Sequence, residues 1–249
     1  MTILYFAYGS PCHETLARHF DDDPVDVLVA YPELRGYMKR AHQYNVRNLC
    51  LDSGAFSVWQ SGKTITNDEF IRAALDAPVD EVFGLDVIND WQGTQRNLEE
   101  AWSRGLNAIP TFHSTDPPEA LDWCIENTPC HKIAISGFKK SRSKQVKFVQ
   151  AIMARTWSRR LRVHAFGMFK NEVLAAGPLH SVDASTWVFA PRATGCWAGY
   201  NGIQQHVGSR GYHDHWIEVE EYVKRAKWAA HVWRKELAEI EAAAEKVGQ

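Results

Sequence analysis

The sequence predicts an α/β protein built as one (β/α)8 barrel. Three observations predict it. Short apolar, β-branched runs alternate with longer amphipathic stretches, the alternation repeats eight times, and the strand-to-strand spacing of roughly 20 to 30 residues is that of a βα unit. A chain of 249 residues that is 45% hydrophobic and 23% charged can bury a core of that size as one domain.

The eight expected strands are Ile3–Tyr8, Val25–Tyr31, Leu49–Ser53, Val82–Asp86, Ala108–Phe112, Ile133–Ser136, Val163–Gly167 and Ser181–Ser185. Each is short and nearly continuously apolar, as a parallel strand buried on both faces requires. Helical patterns fill the gaps, among them Pro32–Tyr44, Asn67–Ala77 with Asn67 as its cap and Glu69 following, Pro117–Glu126 and Ser141–Thr156. Eight such units with right-handed crossovers close a TIM barrel over about residues 1–190.

The rhythm breaks after Ala190. A Gly- and aromatic-rich loop with no strand or helix period runs from Pro191 to Trp216, and a long helix follows from about Trp216 to Val247. Trp216, Tyr222, Val223, Trp228, Val232, Trp233 and Leu237 are the expected buried stripe of that helix. No repeat or linker marks a second domain, so 1–249 reads as a single domain.

The opening MTILYFAYGSP lacks the basic lead of a signal peptide, and no run approaches the roughly 20 apolar residues of a membrane helix. A cytoplasmic protein without a membrane partner is the expectation, its oligomeric state open. Five cysteines, Cys12, Cys50, Cys124, Cys130 and Cys196, are scattered without a Cys-x-x-Cys pair, so free thiols are expected. A net charge of −2 excludes a general attraction to polyanions. Locally the balance differs. Lys139, Lys140, Arg142, Lys144, Lys147, Arg155, Arg159, Arg160 and Arg162 follow one another with no acidic residue between them. Such a run suits either a phosphate-binding face or a solvated basic helix.

In a barrel of this class reactive groups sit where strands end and βα loops begin. Those positions hold Asp52-Ser53-Gly54-Ala55-Phe56, Asp86, His113, Ser136-Gly137, Phe166-Gly167 and Asp183. One such Asp alone is as readily a helix cap. Three carboxylates and a histidine facing one mouth cost free energy that a purely structural barrel has no reason to spend, so together they point to an active site.

The string LDSGAFS at Asp52 resembles the DSG-[GA]-F-[QS] signature of the tRNA-guanine transglycosylase superfamily, and more closely its phage and bacterial 7-deazaguanine DNA transglycosylases. GLDVIND, TFHS, AISGF and SVDASTWVFAPR are similar, in the same order, to that family's later segments, so the resemblance spans about Asp52 to Arg192. It implies exchange of guanine for a 7-deazaguanine base in a nucleic acid, through a covalent Asp-glycosyl intermediate that retains configuration. Carried over by position, Asp52 is the general acid/base and Asp86 the acceptor for the N1–H and exocyclic amine of guanine, while Asp183 matches the first of two late Asp residues, of which the second is the family's nucleophile, and is the nucleophile here if the motif is shifted. His113, Ser136, Gly137, Gly167 and Phe56 complete the base pocket.

Two departures stand out. The family's late motif has a second Asp three residues after the first, where this chain has Thr186, so either Asp183 reaches C1′ itself or the nucleophile lies elsewhere. The family's Cys-x-Cys-x-x-Cys with a later His is missing. No metal or other cofactor is therefore expected. Cys124, Cys130 and His131, or His206, His213 and His215, are the alternatives for zinc, with spacing that is not diagnostic.

DNA is the favoured polymer, because the tRNA enzymes of the family are longer and carry the zinc subdomain, and tRNA is the alternative. Lys139, Lys140, Arg142, Lys144, Arg192 and Trp197 are the candidate nucleic-acid contacts. Trp197 and Tyr200 would stack bases, whereas Trp216 would pack the last helix. Two competing readings remain, a retaining glycoside hydrolase, which also uses paired carboxylates in a barrel, and a barrel that binds nucleic acid without catalysis.

Overall fold

The computed structural model describes residues 2–8, 24–137, 141–184, 196–198, 204–206 and 223–247. Eight parallel strands form one sheet: β1 Ile3–Ala7, β2 Val25–Ala30, β3 Val46–Asp52, β4 Glu81–Val82, β5 Thr111–His113, β6 Lys132–Ser136, β7 Arg162–Phe166 and β8 Ser181–Ala184. Their spatial order is β4-β3-β2-β1-β8-β7-β6-β5. The two ends of that order also meet. Phe83 and Ile109 form a parallel bridge, with Gly84 N–H donating to Ile109 O at 2.9 Å and Ile109 N–H to Val82 O at 2.8 Å. The sheet therefore closes on itself.

Side chains alternate across each strand. One set, Tyr5, Leu28, Cys50, Phe83, Ile109 and Ala134, packs inside the barrel. The other set, including Leu4, Phe6, Val27, Leu51, Ile133, Val163 and Val182, packs outward under the helices. Near the N-terminal ends of the strands the lumen is plugged by ions. Glu81 accepts from Lys132 Nζ and from Tyr5 Oη at 2.8 Å, and Lys132 is fully buried. Burial works against the Glu81 charge, but Lys132 and Tyr5 outweigh it and hold the carboxyl down at about 2.

The helices are α1 Tyr31–Met38, α2 Ala55–Gln60, α3 Asn67–Asp76, α4 Trp91–Ser103, α5 Pro118–Asn127, α6 Arg142–Thr156 and α7 Asn171–Leu174, then α8 over 223–232 and α9 Arg234–Val247. Pro32 and Pro118 open α1 and α5, where a missing N–H costs nothing. Asp90 caps α4 by accepting from Gly93 N–H at 2.9 Å.

Several expected boundaries move. The cap of α3 is Thr66, not Asn67: Thr66 Oγ1 accepts from Glu69 N–H and the Glu69 carboxylate accepts from Thr66 N–H, a reciprocal capping box. The helix expected over 32–44 stops at Met38, and Ala41–Gln43 form a separate 3-10 turn. The loop after Ala190 is not wholly irregular, since β9 Cys196–Ala198 and β10 Gln204–His206 pair antiparallel. The C-terminal helix is interrupted at Trp233. Its buried residues are Ala226, Ala229, Leu237 and Ile240, whereas Val232 is 44% exposed and no part of the stripe. Small alanines let this helix approach closely, and Trp233 Nε1 donates to Leu174 O at 2.9 Å. Trp216 and Tyr222 lie outside the described residues. No described helix is long and apolar enough to cross a membrane.

Gly54, between β3 and α2, has φ +67°, and a Cβ there would lie 2.8 Å from Pro32 Cδ. Gly62 has φ +69° with nothing within 4 Å. Gly54→Ala is therefore expected to cost about 2–4 kcal/mol from left-handed strain plus overpacking, and Gly62→Ala only about 1 kcal/mol. Urea unfolding midpoints check this, and equal losses at the two positions would refute the close-packing cause.

Candidate active site

The mouth of the barrel is assembled from strand ends whose register is already set. His113 pairs with Ser136 and Ser136 with Phe166. The β7–β8 register, with Ala165 opposite Val182, then brings Asp183 beside Phe166. On β3, Cys50 faces the lumen, so alternation turns Asp52 the same way. These side chains come from βα units far apart in sequence and meet only because the sheet closes.

Around Asp86 the loop is tied down from both sides. Asn97 Nδ2 donates to Leu85 O at 3.0 Å, and Val87 N–H donates to Thr94 Oγ1 at 2.8 Å. The Asp86 carboxylate then takes two partners: Ser53 Oγ donates to Oδ1 at 3.0 Å, and His113 Nε2 lies 2.8 Å from Oδ2. Burial opposes the imidazolium, but the hydrogen bond and charge of Asp86 prevail and raise the His113 pKa. Asp116 Oδ2 accepts from His113 N–H at 2.8 Å and holds the backbone in place.

Asp183 is 7% exposed, and its Oδ1 accepts from Gly167 N–H at 2.7 Å. Gly167 has φ +61°, a turn open to glycine that aims its N–H at the carboxylate. Behind it lies His164, fully buried, with Nδ1 2.9 Å from Ser181 Oγ and Nε2 3.6 Å from Asp183 Oδ1. Burial holds the His164 imidazole below its ordinary pKa.

Asp52 has the most perturbed carboxyl of this group. Its pKa is pushed up to about 7, first by burial and then by the negative charges of Asp86 and Asp183, with backbone hydrogen bonds from Gly54 and Ser53 working against the rise. A carboxyl that titrates near neutrality can give up a proton and take it back, which an ordinary aspartate cannot do efficiently.

Asp52, Asp86, His113, Ser136, Gly137, Gly167 and Asp183 all sit at or just beyond the C-terminal ends of their strands. Ser136 Oγ is buried and has no hydrogen-bond partner among the described residues. Phe56 lies on α2, its ring 6.2 Å from that of Trp59. Sequence reasoning passed over Ser53, Asp116 and His164. The signal for His164 is parity, since it lies two residues before Phe166 on a strand whose alternate residues face the lumen.

The basic run is less free than its composition suggests. Arg142 pairs with Glu172 at 2.7 Å, Arg155 with Asp122, and Arg160 with Glu239 at 3.0 Å. Arg159 and Arg162 donate to the carbonyls of Ile125 and Cys130. Lys144 and Lys147 stand exposed on α6. Lys139, Lys140, Arg192, Tyr200 and Thr186 fall outside the described residues, as do the side chains of Trp197, His206, His213 and His215.

Among the described residues no three His, Cys, Asp or Glu side chains gather as metal ligands. The set of Cys124, Cys130 and His131 does not assemble. Cys124 is buried, Cys130 Sγ lies against Lys132 O, and His131 Nε2 lies 3.1 Å from Arg160 O.

Fold and site together define a TIM-barrel protein with an acidic C-terminal mouth. Neither a family model nor a curated protein matches the chain. Among solved structures, a mutant tryptophan synthase alpha-subunit from the hyperthermophile Pyrococcus furiosus is similar, with 13% identity and TM-score 0.52 over 90% of this chain and 97% of that one. The tryptophan synthase alpha chain of Legionella pneumophila subsp. pneumophila is 13% identical, TM-score 0.44, over 96% of this chain and 92% of that one. At such identity the first of these likenesses shows the fold alone.

Proposed function

We propose that this chain is a transglycosylase that exchanges guanine for a 7-deazaguanine base in DNA. The observation that carries the reading is Asp52, a carboxyl poised near pH 7 at one mouth with two further carboxylates. Asp183 attacks C1′ of the target nucleotide as the glycosidic bond breaks, and the Asp52 carboxyl delivers its proton to the departing guanine. The sugar is then held as an ester of Asp183. The incoming deazaguanine gives its ring N–H proton to the Asp52 carboxylate and attacks C1′ from the vacated side, which expels Asp183 and retains configuration.

Asp86 reads the base in this scheme. Each oxygen already accepts one bond, from Ser53 or His113, and each keeps a second lone-pair direction for the N1–H and amine of a guanine edge. In a duplex the target must first be flipped out, at a cost of a few kcal/mol.

The test is incorporation of a radiolabelled 7-deazaguanine base into duplex DNA, single-stranded DNA and tRNA by the purified chain. Label in DNA is the expected result. Label in tRNA alone would overturn the choice of polymer, sugar release without incorporation would mark a glycoside hydrolase, and binding without turnover a non-catalytic barrel.

A further inference from the structure

Beside Asp86 a cleft opens whose other walls the base-exchange chemistry does not use. It is a cleft of about 340 Å³ between α2, the segment leading into α3 and the loop after β4, with Val58, Trp59, Lys63, Asn67, Asp86 and Val87 among its walls. That volume lies at the small end of ligand sites, room for one nucleotide-sized occupant. Trp59 is 55% exposed and Val87 38% exposed, both unusually open for large apolar residues. The Trp59 ring lies 6.2 Å from that of Phe56, at 32°.

The polar groups complement a nucleotide. Lys63 is exposed at the rim and makes no ion pair among the described residues. Asn67 Nδ2 donates to Asn97 O at 3.1 Å and to Glu100 Oε2 at 2.8 Å, whereas its Oδ1 is buried without a donor among the described residues. The cleft thus offers a flat apolar face and a cation, and Asp86 is common to it and to the mouth.

We propose that this cleft is a subsite for the nucleotide adjoining the target in the polymer. Its base stacks on Trp59, and Lys63 takes the phosphate. The inference rests on the nucleic-acid reading above. It also explains how a chain of net charge −2 holds a strand, through local contacts at the mouth instead of a general positive field. Stacking of this kind is worth enough that its loss weakens binding about tenfold.

The experiment uses the full chain and a fluorescein-labelled single-stranded DNA oligonucleotide with one central guanine, read by anisotropy across a salt series and, in parallel, by base exchange. Trp59→Leu, which keeps an apolar side chain but cannot stack, is expected to weaken binding about tenfold and to raise KM more than it lowers kcat, and Trp59→Phe to restore most of both. Lys63→Ala should flatten the salt slope by about 0.7, one phosphate on a single strand. Wild-type affinity in Trp59→Leu, with exchange intact in both proteins, would overturn the subsite and leave the transglycosylase reading standing. Oligonucleotide binding that depends on Trp59 but brings no exchange would support the subsite and remove the base-exchange chemistry. Absence of oligonucleotide binding by the wild-type chain would overturn the subsite, and absence of label in duplex DNA as well would overturn both.

Discussion

Asp183→Asn is expected to reduce base exchange by on the order of 10⁴-fold, the scale seen when a member of a nucleophilic unit is removed, while the chain stays folded. Asn keeps a carbonyl oxygen that can accept the Gly167 N–H bond, at 2.7 Å in the native protein, so the geometry at the end of β8 survives. What it loses is the negative charge and the nucleophilic oxygen. Burial lowers the pKa of the neighbouring His164, which disfavours a stranded charge there. Exchange is measured with labelled base, folding by circular dichroism, and the intermediate by mass spectrometry of the wild-type chain after quenching with DNA and no acceptor base. A sugar adduct mapped to any residue other than Asp183, or full activity in Asp183→Asn, would move the nucleophile.

The second large effect is that of Asp52→Asn, expected to slow exchange by about 10²- to 10⁴-fold and yet to stabilise the fold at alkaline pH. The folded carboxyl keeps its proton up to about pH 7, against 3.8 as its ordinary value, so between those limits the folded state binds more protons than the unfolded one. Stability from this group is complete below about pH 4 and is lost as the pH rises through 7. An amide cannot ionise, so the variant escapes the loss, and its Tm at pH 8 should exceed that of the wild type. His113 contributes a slope of the same sign, because its raised pKa favours the protonated folded form; the variant therefore shows a shallower pH dependence, not a flat one. Equal Tm–pH profiles for the two proteins would refute the shift. Such a trade, stability given up for a poised group, is common at active sites.

Much of this arrangement is visible in particular residues. Asp52, Asp86, His113 and Asp183 can be placed at strand ends because parallel buried strands are short apolar runs and a polar residue at or near the end of each marks the rim. Gly54 and Gly167 are legible for a related reason: a strand that must turn at once into a loop needs φ values that glycine adopts freely, and both have positive φ. Asn67 shows the opposite. Asn and Thr are both good caps, and only the reciprocal bonds with Glu69 select Thr66. In the basic run composition counts charges without their partners, and Glu172, Asp122 and Glu239, which pair with three of its arginines, lie on other elements.

By itself the sequence determined the class of fold, the eight strands to within a few residues and the acidic character of the mouth, because periodicity and strand-end polarity are local properties of a chain. Only the tertiary structure decided what surrounds each carboxylate. Asp86 is bound by Ser53 and His113, Asp183 is held by a glycine N–H with a buried histidine behind it, and Asp52 is lifted to about 7 by burial and by those two neighbours. The cleft at Trp59 is likewise made by three separate segments. These are effects of desolvation and of charges brought together by barrel closure, and neither burial nor the distance between remote residues is written in the order of the residues.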